Sequence, residues 1–299
     1  FSSNILRIFV TMNFKPVERM KNIWLRTALL CCLASVAHGQ DAEKKTETYR
    51  FTDKKLVDVT PVKDQARSGT CWSFSGMGLV ESDLLRRGKG ECDLSEMWIV
   101  RHAYAEKVAK YIRMHGNANL GGGGTLNDVT YIIDRYGIVP EEVYPGLGYG
   151  TDRHVHGELD AAVKAYAEAI VKNPNKTLTP SWKKGLDGIL DAYLGVCPEK
   201  FTYKGKEYTP KSFAGELGIR HDDYVMITSF THHPFYAPFA LEIPDNWNWA
   251  LSYNVPREDV ARIVDAALEA GYAVNWASDV SEKGFAYNKG FAVVPVTKV

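Results

Sequence analysis

The chain has 299 residues, of which 45% are hydrophobic and 24% are charged, and its Gly and Pro contents are close to average. This composition excludes a disordered chain, a collagen and a small disulfide-framework protein, and the length allows one large domain or two of ordinary size. The 36 Lys and Arg residues balance the 36 Asp and Glu residues. A nucleic-acid-binding protein typically carries a basic excess, so we expect no nucleic-acid partner.

The start of the sequence has the pattern of a targeting segment. Met20 is followed by the basic residues Lys21 and Arg26, by an apolar run over 27–37 and by the small-residue site Ala37-His38-Gly39. This order is typical of a secretory signal peptide, and the apolar run is short for a membrane span. We therefore expect a secreted or periplasmic protein without membrane attachment after cleavage. An uncleaved anchor is the alternative.

This interpretation divides the chain into four segments. Residues 1–19 are interpreted as upstream sequence and 20–39 as the signal peptide. Residues 40–50 are polar and are expected to form a flexible lead-in, because such ends are seldom tied down. Residues 51–299 are expected to form the folded domain.

Hydrophobic periodicity and local stop signals predict the elements of this domain in chain order. Helices are predicted over 72–87, 94–115 (capped by Asp93 or Ser95), 126–136, 159–172, 180–193 and 256–270. Strands are predicted over 56–62, 225–230, 272–280 and 291–296. Because helices dominate the first part and strands appear late, the pattern favours an α+β fold over alternating βαβ units.

The segment from Gln65 to Phe74 is the most informative part of the sequence. Cys71 stands at the predicted start of a helix, where the positive end of the helix dipole stabilises a nucleophilic thiolate. Gly69 allows a tight turn, and Trp72 shields the site from water. Gln65 lies six residues upstream, so its amide and the Cys71 backbone N–H form a candidate oxyanion hole. A Cys-Trp pair by itself is more often part of a structural core. The combination of Gln65, Gly69 and a cysteine at a helix start favours a nucleophile instead.

The spacing of Gln65 and Cys71, with Trp72 and Ser73-Phe74 following, resembles that of the papain-like cysteine peptidases. The resemblance implies a papain-like fold, with a nucleophile-bearing helical domain and a β-rich domain that is incomplete here. It implies that Cys71 is the nucleophile and Gln65 the oxyanion-hole donor. No cofactor is implied.

The pair Gly123-Gly124 adds a second similarity to this family, since it lies at the expected distance before Gly137. In the family the backbone of such a pair binds an extended peptide. Glycine lets the peptide approach closely and exchange main-chain hydrogen bonds, as in strand addition. The resemblance therefore adds Gly123 and Gly124 to Gly69 and Trp72 as expected substrate-binding residues. A merely flexible glycine-rich loop is the alternative.

Two later segments, 225–235 and 243–247, resemble the bleomycin hydrolase and aminopeptidase C branch of the family. The resemblance covers about residues 50–299. It implies peptide substrates, hydrolysis of their amino-terminal residues, and a homo-oligomer, often a hexamer in this branch. These expectations come from the resemblance alone, because neither composition nor residue spacing indicates them.

A partner base for the thiol is the missing part of the pattern. Family members carry a histidine well downstream, followed by Asn-Ser-Trp, and here no histidine follows His233. We expect a chain truncated within the β-rich domain and inactive alone, because nucleophile and base act as a unit. The alternatives are a peptide-binding module without a base and an interaction protein with a relic motif. His232 and His233 precede Pro234 and are expected in a turn rather than as the base.

Other candidate sites are weaker. His154 and His156 supply only two metal ligands, so we expect a solvated loop and no metal site. After removal of the signal, Cys71, Cys92 and Cys197 remain, an odd number for an oxidising compartment. Cys92 and Cys197 either pair with each other or remain two free thiols.

Overall fold

The structure, a computed structural model, describes residues 52–278 and 284–292. The chain divides into two units, residues 14–56 and the remainder, 1–13 with 57–299. Of the smaller unit the structure describes residues 52–56, which contain no helix or strand. The elements below all lie in the larger unit.

The described residues contain seven α-helices. They are α1 Cys71–Arg86, α2 Glu96–Arg113, α3 Leu126–Tyr136, α4 Gly157–Val171, α5 Ser181–Leu194, α6 Pro210–Leu217 and α7 Arg257–Glu269. Short 3₁₀ turns span His221–Asp223 and Tyr287–Lys289. None of the helices in the part of the chain described here combines the length and apolar character that a bilayer crossing needs.

Seven short strands form three small sheets within the same residues. They are β1 Phe201–Tyr203, β2 Lys206–Tyr208, β3 Met226–Thr228, β4 Ala237–Ala240, β5 Leu251–Asn254, β6 Phe285–Ala286 and β7 Phe291–Ala292. The strands β1–β2 and β6–β7 are antiparallel pairs. In the three-stranded sheet β5 is central, parallel to β3 and antiparallel to β4. Helices thus precede most strands, as predicted.

Local signals account for the early helices. Ser95 caps α2 by accepting a hydrogen bond from the Trp98 N–H at 2.9 Å, which decides between the two predicted caps. The Asp128 carboxylate accepts from the Thr125 N–H at 2.8 Å at the start of α3, and Gly137 ends the helix at positive φ. The observed bounds of α3 are those predicted.

The core is built where α1, α2 and α3 meet. Met77, Ile99 and Ile132 belong to one cluster and are at most 1% exposed. Gly76 allows α1 to approach α3 closely, because a Cβ at this position would lie 2.6 Å from Val129 Cγ2. This contact between helices fixes the direction in which the start of α1 points.

The predicted strand over 56–62 is absent, and 57–66 is an irregular segment that ends in a turn. Val62 is 76% exposed, so the segment has no buried apolar face that would favour a strand. Charged contacts hold it instead. Lys63 Nζ lies 2.7 Å from Glu96 Oε1 and 3.2 Å from Glu81 Oε1, linking the segment to α2 and α1.

The later predictions are mixed. Strand β3 lies within the predicted 225–230, but residues 272–278 form no strand, and 279–280 lie outside the described residues. Asn275 is fully buried there and accepts a hydrogen bond from Ser75 Oγ at 2.6 Å. This tertiary contact, rather than strand pairing, orders the segment. Of the predicted strand 291–296, β7 covers the first two residues and the rest lies outside the described residues.

The β1–β2 hairpin and α6 were not predicted, although both have readable local signals. Lys204 and Gly205 both adopt positive φ between the two strands, as a tight hairpin turn requires. Thr209 caps α6 by accepting from the Ser212 N–H, and Pro210 occupies its first turn. These elements are too short to show a hydrophobic periodicity that would predict them from the sequence.

Candidate active site

Cys71 is the first residue of α1, and its side chain is exposed and not in a disulfide. The N–H groups of a first helical turn have no partner within the helix and create a positive potential. The preceding Thr70 is buried, and its hydroxyl lies 2.5 Å from that of Ser68. A turn anchored by the buried side chains of Ser68 and Thr70 therefore presents an exposed thiol at a helix N-terminus.

The turn before Cys71 depends on Gly69. This glycine has φ +66°, and no atom lies within 4 Å of the Cβ position, so the backbone conformation rather than space requires glycine. Ser68 Oγ donates to the Gln65 carbonyl at 2.8 Å, which closes the turn. The Gln65 amide oxygen is buried without a hydrogen-bond partner. The role of Gln65 as oxyanion-hole donor stays a prediction.

The glycine loop, residues 121–124, packs against this turn and the start of α1. Trp72 donates its indole N–H to the Gly122 carbonyl at 2.9 Å. A Cβ at Gly124 would lie 2.8 Å from the Trp72 ring, and one at Gly122 would lie 3.4 Å from the Ser68 carbonyl oxygen. The structure thus brings the predicted residues Gly69, Trp72 and Gly124 together beside the thiol-bearing helix start.

Lys107 of α2 supports the glycine loop from beneath. Its ammonium donates to the Gly121 carbonyl at 2.9 Å and also to the Gly123 carbonyl. The side chain is buried, and burial lowers the pKa of Lys107 to about 8 against the opposing attraction of Asp128 and Asp245. Lys107 was not predicted as a site residue, because nothing in its local pattern distinguishes it from the other polar positions of α2.

Two acidic groups complete the surroundings of the loop. Asp128 is fully buried and accepts from the Trp247 indole N–H and the Asn248 amide, both at 2.8 Å. Burial raises the pKa of Asp128 to about 6. The Asp245 carboxylate faces Gly123 so closely that a Cβ there would lie 2.6 Å from Asp245 Oδ1. The segment 245–248 therefore borders the glycine loop.

The predicted solvated loop at His154 and His156 is wrong. Arg67 pairs with this segment, donating to the His154 carbonyl at 2.9 Å and accepting from the His156 N–H at 3.0 Å. His156 is 0% exposed, and neither ring nitrogen has a hydrogen-bond partner. Burial, with His154 alongside, lowers the pKa of His156 to about 4. The segment is thus a packed support for the turn that precedes Cys71.

No histidine is hydrogen-bonded to the Cys71 thiol among the residues that the structure describes. His232 and His233 instead contact the Glu242 carboxylate, at 3.3 and 2.7 Å. They lie in a turn, as expected from Pro234.

The two other thiols of the folded region are free. Cys92 is buried and Cys197 is half-buried, with its sulfur 3.9 Å from His102 Nε2. The sequence left open a disulfide between Cys92 and Cys197 or two free thiols, and the structure shows two free thiols. Burial raises the pKa of both thiols, so neither has the character of a nucleophile.

Comparison with known proteins shows to which family this arrangement is similar. Residues 46–181 match the family model described as papain family cysteine protease. Cysteine proteinase 2 of Entamoeba histolytica is 28% identical over 199 residues, which are 65% of this chain and 59% of the relative. Cathepsin S of Mus musculus is 36% identical over 144 residues, covering 45% of this chain and 40% of the relative.

A solved structure shows the same fold. The crystal structure of PepW from Lactobacillus rhamnosis aligns with a TM-score of 0.59 at 20% identity, covering 74% of this chain and 59% of that chain. The chain spans about six tenths of the length of PepW and of the amoebal relative. Residues 46–181, which include Gln65, Cys71 and the glycine loop, thus match the papain family model, and the chain has the papain-like α+β fold.

Proposed function

We propose that this protein is a cysteine peptidase that cleaves peptide bonds through a Cys71 acyl-enzyme. The observation that carries the proposal is the exposed, free thiol at the first residue of α1, beside a glycine loop that Trp72 holds in place. A nucleophile at a helix N-terminus next to a backbone that an extended peptide can approach is what acyl transfer from a peptide requires.

The chemistry follows from these groups. The sulfur attacks the carbonyl carbon of the scissile bond, and the carbonyl electron pair moves onto oxygen. The Cys71 backbone N–H and the Gln65 amide are the proposed donors to this oxyanion. Collapse of the intermediate expels the amine, which takes a proton, and leaves a thioester. Water then attacks the thioester, releases the acid and returns the proton to the sulfur.

We further propose that the enzyme removes amino-terminal residues, acts outside the cytoplasm and forms an oligomer. The first and third proposals rest on the resemblance of 225–235 and 243–247 to the aminopeptidase C branch, and the second on the signal-like segment 20–39. The matched relatives are named as cysteine proteinases and cathepsins, so the position of cleavage is the feature to test.

The test uses the full-length protein that the gene encodes, not residues 1–299 alone, since no histidine is hydrogen-bonded to the Cys71 thiol among the described residues. Two matched peptide substrates are compared, one with a free amino terminus and one acetylated. Cys71→Ala is expected to lower kcat by at least about a thousandfold, since loss of a nucleophile removes most of the catalysis. Cys197→Ala, which removes a half-buried thiol, is the matched control and is expected to retain activity. Preference for the free amino terminus supports the aminopeptidase proposal, and equal cleavage of both substrates contradicts it.

A second candidate is a peptide-binding module that does not turn over its ligand. It is favoured by one observation, that the Cys71 thiol has no histidine hydrogen-bonded to it within residues 52–278 and 284–292. Stoichiometric alkylation of Cys71 and saturable binding of extended peptides, with no product by mass spectrometry, would establish this alternative. Turnover that Cys71→Ala abolishes would exclude it.

A further inference from the structure

Two adjacent imidazoles and one carboxylate converge at the edge of the three-stranded sheet. His233 Nε2 lies 2.7 Å from Glu242 Oε1, and His232 Nε2 lies 3.3 Å from Glu242 Oε2. One ligand atom from each of the three side chains lies within 4.8 Å of the other two. We call these three residues the His–His–Glu cluster.

These separations are close to those of a metal site. Bonds of about 2.0 Å from a tetrahedral Zn²⁺ to nitrogen and oxygen place neighbouring ligand atoms about 3.3 Å apart. One contact in the cluster already has this length, and another is shorter. The remaining pair of ligand atoms, one from each imidazole, lies within 4.8 Å.

The turn that carries the two histidines is held rigid by Asn254. This side chain is fully buried and donates to the carbonyls of Phe230 at 2.9 Å and of His233 at 3.0 Å. Its amide oxygen accepts from the Phe230 N–H at 2.8 Å. The backbone positions of the ligands are therefore fixed before any ion binds, which lowers the entropic cost of binding.

Glu242 stands in a turn that a second buried asparagine holds. Asn246 donates to the Leu241 carbonyl at 3.0 Å and to the Ala250 carbonyl at 3.1 Å, and accepts from the Ala250 N–H at 2.9 Å. Asn246 is 3% exposed. The carboxylate is thus presented from a fixed backbone, as the imidazoles are.

Aromatic packing orients the two rings. His233 stacks on the buried Phe239 with centroids 4.0 Å apart, and Phe230 meets the His232 ring edge-on at 5.5 Å. Packing of this kind limits the ring rotations that would otherwise separate the two Nε2 atoms. The ligand geometry is therefore supported by its surroundings, as a metal site requires.

The charge of Glu242 is available to a cation. Among the described residues its ion pairs are with these two imidazoles, and no lysine or arginine neutralises it. His232 and Glu242 are also exposed to solvent, so water can reach an ion at this position.

We propose that His232, His233 and Glu242 bind one divalent transition-metal ion of the Zn²⁺ class, with solvent in the remaining coordination positions. Two imidazoles with one carboxylate suit Zn²⁺ and its neighbours better than Mg²⁺ or Ca²⁺, which prefer all-oxygen ligands. In the sequence only the pair His154 and His156 suggested a metal site, because Glu242 lies nine residues beyond the nearer ligand. In the structure the turn before β4 folds back so that His233 stacks on Phe239 of that strand and contacts Glu242 beyond it.

The test is zinc titration of the full, tag-free chain carrying Cys71→Ser, which removes the exposed thiol as a competing ligand. Calorimetry is expected to report a site that His233→Ala and Glu242→Gln each weaken by at least tenfold, since even loss of an outer-shell partner costs about 10–100-fold in metal affinity. The control His115→Asn removes an exposed histidine outside the cluster, and it is expected to leave zinc affinity unchanged.

Two further readouts keep the result independent of folding. Each variant is first shown to keep the metal-free melting temperature of the parent chain within a few degrees, and His232→Gln replaces any alanine variant that does not. The visible spectrum of bound Co²⁺ then reports nitrogen and oxygen ligation, and the variants are expected to lose it. Zinc binding of equal affinity in parent and cluster variants, or no binding attributable to the cluster, overturns the proposal.

Discussion

The indole N–H of Trp72 donates to the carbonyl of Gly122 at 2.9 Å and so joins the nucleophile-bearing helix to the glycine loop. Trp72 is the residue directly after Cys71, and it is 5% exposed. Because one buried side chain touches both parts, the distance between the thiol and the loop is set by packing. This relationship makes the proposed peptidase geometry testable away from the nucleophile itself.

Trp72→Phe keeps an aromatic side chain but removes the indole N–H donor together with part of the buried ring system, a loss of volume that the control below shares. The Gly122 carbonyl then loses its partner, which costs about 1–3 kcal/mol where the group stays buried. We expect kcat/KM for peptide hydrolysis to fall by about tenfold, a change of 1.4 kcal/mol. Steady-state kinetics and thermal unfolding on the same preparations measure both effects.

The matched control is Trp98→Phe. Trp98 is buried and donates to the Gly137 carbonyl, also at 2.9 Å, but this bond does not involve the glycine loop. We expect a similar loss of stability and an unchanged kcat/KM. If both substitutions lower kcat/KM equally, the Trp72 bond has no special part in the site.

Gly124→Ala tests the close approach of the loop to the helix. The added methyl group would lie 2.8 Å from the Trp72 ring and 2.9 Å from the Asp128 carboxylate, so the loop must move. Overpacking of this kind costs about 1–3 kcal/mol. We expect a higher KM and a lower melting temperature, from the same kinetic and unfolding assays.

Gly78→Ala provides the comparison, since it lies in α1 with open space around its Cβ position. Alanine is favoured over glycine in a helix by about 1 kcal/mol, so this variant is expected to be at least as stable as the parent. A Gly124→Ala protein with unaltered KM would contradict a substrate-binding role for the loop.

Lys107→Met tests the buried support of the loop. Methionine fills much of the lysine volume but cannot donate to the Gly121 and Gly123 carbonyls. We expect a raised KM for extended peptides and a smaller effect on single-residue substrates, because the loop backbone is the proposed peptide-pairing edge. Equal effects on short and extended substrates would argue that Lys107 acts on stability alone.

Local signals made much of the fold predictable. Hydrophobic periodicity and the stop signal Gly137 predicted the bounds of α3, and the Cys71 motif identified the start of α1 to within one residue. The strand predicted over 272–280 is absent from the described part of that segment. Sequence periodicity carries no information about the hydrogen bond between the buried Asn275 and Ser75, which lies 200 residues earlier in the chain.

The candidate site was also predictable only where its residues lie close together in the sequence. Gly69 and Trp72 lie within two residues of Cys71 in one short motif, so the sequence already placed them near the thiol, and their role in substrate binding stays a prediction. Lys107 and Asp245 act on the glycine loop through contacts that the tertiary fold creates, and Asp245 reaches Asn119 across 126 residues of sequence. Such residues have no local pattern and become visible only in three dimensions.

His156→Leu tests the buried imidazole behind the turn that leads to Cys71. Burial lowers its pKa to about 4, against 6.5 for the ordinary group, so between these values the unfolded chain binds a proton that the folded chain excludes. The free energy of unfolding therefore falls as the pH drops from 6.5 to 4, by up to about 3 kcal/mol from this residue. Leucine takes up no proton, so the variant is expected to lose less stability over this range.

Urea unfolding from pH 7.5 down to pH 4 measures the difference, with His115→Asn as the control that keeps the buried ring. Parallel curves for parent and His156→Leu would show that a proton or a water reaches the ring in the folded protein, contrary to its burial.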